Sequence, residues 1–162
     1  MKRTITTLTA VLLISTAGLG ASQSAFASTD TAQATNYPAQ IDDLLRTNPG
    51  GTQTGPNTIT WEGGAVELRL APDGASRAVG TCPTGSFCAF SSTNLAGSRV
   101  SFTTCSTHSV GSLIGTAKSI ANARTSGTVY GENSSGSVLS TIGANGRVNA
   151  APANVTQLGC AG

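Results

Sequence analysis

Four cysteines, Cys82, Cys88, Cys105 and Cys160, are the residues of this chain whose type and spacing most clearly define a chemistry. The nearest two enclose a short segment, Cys82-Pro83-Thr84-Gly85-Ser86-Phe87-Cys88, whose Pro and Gly let the backbone turn back. Four thiols allow three disulfide connectivities. Closing a small ring from Cys82 to Cys88 leaves Cys105 to pair with Cys160. On loop entropy the short ring contributes about 2 kcal/mol and the long loop about 4 kcal/mol. Zinc is the competing chemistry for four thiols. The paired short spacings of a structural zinc site are missing, so no metal is assigned.

Other reactive side chains are scarce. The one histidine, His108, stands in Cys105-Ser106-Thr107-His108-Ser109, a polar stretch expected to form an exposed loop. Beyond Asp73 the one acidic side chain is Glu132, so a carboxylate pair for glycoside hydrolysis is unavailable there. A Ser-His-Asp triad would have to join His108 to Glu132 or to a distant N-terminal acid, and no nucleophile-elbow sequence surrounds a serine. No catalytic residue and no cofactor follows, which points to a non-enzyme. Asn133-Ser134-Ser135 and Asn154-Val155-Thr156 match the glycosylation triplet, but such triplets arise readily in an Asn/Ser/Thr-rich chain and are read as loop composition.

The elements that must position these residues follow from patterning. Met1-Lys2-Arg3, the apolar run Val11-Leu12-Leu13-Ile14 and the small residues of Ala25-Phe26-Ala27 read as a secretory leader over 1–27. Its apolar stretch is well short of the roughly 20 residues that span a bilayer, so no stable membrane insertion is expected. Secretion would place the cysteines in an oxidising compartment, where two disulfides are expected. The mature chain, Ser28 to Gly162, is then about 135 residues, enough for one modest core. Residues 28–57 read as a disordered start, a short helix and a linker. Ile41, Leu44 and Leu45 share one face of Pro38–Arg46, Asn48-Pro49-Gly50-Gly51 stops the helix, and 52–57 is the linker. A β-hairpin is expected over 58–72, with Val66, Leu68 and Leu70 on one side and Trp61 as its anchor.

From residue 80 to 162 the reading is all-β. Strands are expected at 87–90, 99–103, 119–123, 128–130, 138–142 and 155–158, separated by Gly, Ser, Thr and Asn. No helix-length apolar period interrupts them. Phe90 with Gly97-Ser98-Arg99-Val100 is echoed by Tyr130 with Gly136-Ser137-Val138-Leu139, at offsets of 40 and 39 residues. An aromatic followed by a glycine-led strand, twice at one spacing, suggests two related Greek keys packed face to face.

Thr81-Cys82-Pro83-Thr84-Gly85-Ser86-Phe87-Cys88-Ala89-Phe90 resembles the opening of the secreted actinobacterial peptidase inhibitors of the metalloproteinase-inhibitor type, which have a βγ-crystallin-like fold. Phe90-Ser91-Ser92-Thr93-Asn94-Leu95-Ala96-Gly97 is similar to the aromatic-to-glycine signature of that fold, with Leu95 in place of the second aromatic. Ser119 matches the later serine that tucks against the fold-over hairpin. The segment from Gln40 to Leu70 is similar to the forepart of some secreted relatives. The resemblance implies an all-β, two-Greek-key sandwich preceded by a short helix and a hairpin, and an extracellular protease as partner. The inhibitory type carries its reactive bond in a second short disulfide loop. Cys105 and Cys160 are too far apart in sequence to close one, so no inhibitory bond is assigned. Gly115-Thr116-Ala117-Lys118, before Ser119, lacks the Asp or Asn of the family's calcium sites, so calcium is not expected.

Charge narrows the partners further. Only 10% of residues are charged and 4% aromatic. Without Lys2 and Arg3 the formal charge falls from +2 to zero, so no nucleic-acid-binding surface is advertised. Two classes of function remain: a secreted peptidase inhibitor, and a non-inhibitory crystallin-like extracellular binding or structural module. A monomer is expected. The charge is also segregated. Acidic residues dominate from Ser28 to Asp73, whereas Arg77, Arg99, Lys118, Arg124 and Arg147 face a single acid in the remainder. Such segregation either simply keeps each half soluble or directs the acidic forepart to dock on the β region. Apolar burial by the hairpin would supply the strength, and exposed ion pairs, at about 1 kcal/mol or less each, would select the face.

Overall fold

The computed structural model describes residues 37–72 and 81–162. The expected leader and the start of the mature chain, through residue 36, lie outside the described residues, as do residues 73–80.

Helix α1 (Tyr37–Thr47) opens the described chain. It buries Ile41 and packs Leu44 and Leu45 against the core, the face that its apolar spacing marks out. Three strands follow: β1 (Thr52–Gly55), β2 (Thr58–Trp61) and β3 (Val66–Arg69). The segment read as a linker thus contains β1, which pairs antiparallel with β2. Composition hid it because a polar edge strand exposed on both faces carries no alternation. A short 3-10 turn over Glu62–Gly64 joins β2 to β3.

The remaining strands are β4 (Phe87–Ser92), β5 (Ala96–Phe102), β6 (His108–Ser109), β7 (Ser119–Asn122), β8 (Thr128–Glu132), β9 (Val138–Ile142), β10 (Arg147–Val148) and β11 (Gln157–Ala161). A one-turn helix, α2 (Gly111–Ile114), sits between β6 and β7, where no helical period is visible in the sequence. The strands form an antiparallel seven-stranded sheet, β1-β2-β3-β5-β4-β7-β10, and a four-stranded sheet, β6-β11-β8-β9. The fold is an all-β sandwich.

Its order contains an internal repeat. The series β5-β4-β7 is matched by β9-β8-β11, and each trio is completed by the third strand of the other set, β10 in the first sheet and β6 in the second. Two Greek keys therefore exchange their third strands across the sandwich, and neither key completes its own sheet. The turns that open the two keys use Gly97 at φ +74° and Gly136 at φ +80°, the pair picked out by the repeat.

The core lies between the sheets, where Phe87, Val100, Phe102 and Ile120 meet Val129, Val155 and Leu158. Strand β3 continues this layer. It pairs with β5 in the register Val66↔Phe102, Leu68↔Val100 and Arg69↔Arg99, and it buries Val66 and Leu68. The hairpin therefore joins the β region through a backbone ladder as well as through apolar contact. Strand β4 is central and buried on both faces. Phe87 and Ala89 point into the main core, whereas Cys88 and Phe90 form a second apolar cluster with Ala121.

Candidate functional site

The outer face of β4 explains what covers it. Cys82 and Leu95 pack against the Cys88–Phe90–Ala121 cluster. Cys82 belongs to the ring before β4, and Leu95 belongs to the turn after it. Both local features singled out in the sequence thus close over one face of one strand.

Cys82 and Cys88 are joined by a disulfide with their Cα atoms 5.8 Å apart. Inside the ring, Ser86 N–H donates to Pro83 O at 3.0 Å, closing a β-turn with Gly85 at φ +83°. A positive φ at the third position is the conformation that favours glycine in a type II turn. Gly85 N–H donates to Ala123 O at 2.9 Å, and Ala123 N–H donates to Ser86 O at 2.9 Å. Pro83, Thr84 and Gly85 remain exposed, so the ring offers a small fixed tip to solvent. A second disulfide joins Cys105, in the crossing from β5 to β6, to Cys160 on β11, with the Cα atoms 5.0 Å apart. It ties the strand exchange together and presents no second short ring.

Ser119 is fully buried and holds the fold-over turn. Its hydroxyl donates to Ser92 O at 2.6 Å and accepts from Leu95 N–H at 2.9 Å. Gly97 lets the turn close, because a Cβ there would lie 2.8 Å from Ser92 Oγ. The second key solves the same problem differently. Asn133 Oδ1 accepts from Ser135 N–H at 3.0 Å and Ser137 N–H at 2.9 Å. Ser119→Ala should therefore lower stability by about 2 kcal/mol, since it leaves two part-buried backbone groups of the turn without their partner. Urea denaturation measures this; a change below about 0.5 kcal/mol would show that Ser119 does not hold the turn.

Arg99 connects the hairpin to the ring. Its guanidinium is buried, donating from Nη2 to Glu67 Oε1 at 2.6 Å and from Nη1 to Thr81 O at 2.5 Å. Burial pulls the Arg99 pKa below its ordinary value, opposed by the hydrogen bond and charge of Glu67. The forepart does meet the β region through an acid and a base, but the base is buried, unlike the exposed pairs expected from charge segregation.

His108 departs from the exposed-loop reading. It is half-buried on β6 and stacks on Phe102, with ring centroids 4.4 Å apart and planes inclined by 18°. Its Nε2 lies 2.8 Å from Ser106 Oγ and 2.9 Å from Thr104 O. The sequence signal for this was the proximity of His108 to the Cys105 bridge, which pins the strand carrying it.

The Phe102–His108 pair lines an open groove of about 440 Å³, with Asn48, Trp61, Glu62 and Leu113. Trp61 donates its indole N–H to Asn48 O at 2.9 Å, the residue just past the end of α1. Gly51 allows the indole this position, because a Cβ there would lie 2.6 Å from Trp61 Cε2. Sequence reading named Trp61 as an anchor but missed Glu62 and Asn48 as its companions, which only the packing of α1 beside the hairpin brings together. Among the described residues, no group of three or more His, Cys, Asp or Glu is placed to hold a metal ion.

No curated protein matches the chain, and no solved structure matches it. Residues 75–142, from the segment before the ring to the end of β9, match the model of peptidase inhibitor family I36. The Cys82–Cys88 ring, the fold-over turn and Ser119 all fall within that span, and over it the chain is similar to a family of peptidase inhibitors.

Proposed function

We propose that this protein is a secreted peptidase inhibitor of the crystallin-like type that acts by binding a protease, with a metalloprotease as the leading target class. The match of residues 75–142 to a peptidase inhibitor family carries the reading. Physical support comes from the ring, whose exposed tip is fixed by a disulfide and by backbone bonds on both sides. Such a tip loses little conformational entropy on entering a cleft, which is how a rigid loop gains affinity over a flexible one. The described chain has two disulfides, as an extracellular protein would. No helix of the described residues is long and apolar enough to cross a membrane.

The competing reading, a non-inhibitory binding or structural module, is favoured by one observation. The Cys105–Cys160 bridge joins the crossover to β11 and closes no second short loop. Inhibition assays separate the two readings. The folded protein, incubated with a panel of metallo- and serine proteases, should block at least one of them stoichiometrically at micromolar concentration. Thr84→Arg, which changes the exposed tip and leaves both cysteines intact, should weaken that inhibition about tenfold or more. Absence of inhibition across the panel would leave the module reading standing. Inhibition unaffected by Thr84→Arg would move the contact surface away from the ring.

A further inference from the structure

We propose that the groove beside Trp61 is a binding site for the arginine side chain of a partner polypeptide. Glu62 is the one charged residue that lines it. The Glu62 side chain is exposed and makes no ion pair or hydrogen bond among the described residues. It stands at φ +53°, a conformation that favours glycine and that a glutamate adopts only at a cost, while Gly63 and Gly64 follow it in the same turn. Strain of this kind concentrates where a side chain is held for a purpose. The groove also borders the carboxyl end of α1 at Thr47, where the helix dipole adds partial negative charge. A cation is the complementary guest.

Its shape selects among cations. Trp61 and His108, the latter backed by the buried Phe102, present aromatic surface in the same groove. Each aromatic wall is already fixed, Trp61 by Asn48 O and His108 by its contacts to Thr104 O and Ser106 Oγ. A planar guanidinium can stack on an indole while its N–H groups donate to a carboxylate, which a compact, strongly hydrated ammonium does less well. Because the walls need no rearrangement, the interaction energy is not spent on ordering them. This site is independent of the inhibitor reading: it uses none of the ring residues, and its readout needs no protease.

Trp61 is the single tryptophan of the chain, so its fluorescence reports on the groove directly. The full protein is titrated with N-acetyl-arginine methylamide and, separately, with the citrulline analogue, which keeps the shape and loses the charge. The arginine probe should give a saturable change with a dissociation constant on the order of 1 mM, weakening as salt is raised. The citrulline probe should bind about tenfold more weakly. Glu62→Gln should weaken the arginine probe by a similar factor with the melting temperature and emission maximum unchanged. Asp42→Asn, an exposed acid of α1 outside the groove and outside the ion pairs of the described residues, should leave binding as it was. The inference is overturned by equal binding of the two probes, by undiminished binding in Glu62→Gln, or by the absence of a saturable response.

Discussion

Replacing Cys105 and Cys160 together by serine should destabilise the protein by about 4 kcal/mol, while the same change at Cys82 and Cys88 should cost about 2 kcal/mol. The difference follows from loop length, since the bridges enclose sequence separations of 55 and 6 residues. A longer constrained loop removes more freedom from the unfolded chain. The long bridge also sits where the two keys exchange strands, between the β5–β6 crossing and β11. Its loss releases the segment that carries His108 onto the second sheet. Thermal melts of the two double variants should differ clearly, with the Cys105/Cys160 variant falling by roughly 15 °C. Equal melting temperatures, or a larger loss from opening the short ring, would show that local packing around Phe90 outweighs loop entropy here.

Arg99→Ala should cost about 3 kcal/mol. Arg99 is 3% exposed and its guanidinium serves both Glu67 and Thr81 O, so truncation removes packing and leaves two acceptors without their donor. Glu67 keeps some contact with water, its side chain being 30% exposed, which places the cost at the lower end for a broken buried pair. Arg99→Met keeps most of the volume and should lose distinctly less. A double-mutant cycle with Glu67→Gln isolates the pair, for which a coupling of about 1–2 kcal/mol is expected. Additive effects would mean that Arg99 acts through packing and through Thr81 alone. The functional consequence reaches the ring, because Thr81 immediately precedes Cys82. Loosening Arg99 should therefore make the ring tip more mobile as well as weaken the sheet.

Alternation in Val66-Glu67-Leu68-Arg69 was enough to predict a strand with Val66 and Leu68 buried. Which strand it would pair with was not visible, because register and neighbour are decided by backbone groups that every sequence has in common. Counting charges indicated that an acidic forepart would meet a basic remainder, yet a count does not say which arginine lies under the sheet. Burial changes the energetics of that pair, since a desolvated guanidinium that loses its acceptor is far more costly than an exposed one.

Local features were determined by sequence alone. The Pro and Gly between Cys82 and Cys88, the aromatic-to-glycine spacing from Phe90 to Gly97, and Ser119 after it each act over a short reach, through turn geometry or one hydrogen bond. The face of α1 that carries Ile41 follows equally from helical period. Tertiary structure decided the rest. It decided that β6 and β10 cross to opposite sheets, that β1 completes an edge, and that Trp61, Glu62 and His108 line one groove. Those outcomes depend on which distant surfaces fit together. Strand exchange joins residues far apart in the chain, and a groove exists only in the space that packed elements leave between them. A polar edge strand such as Thr52–Gly55 carries no pattern to announce it, and the stacking of His108 on Phe102 needs the whole crossover to be in place.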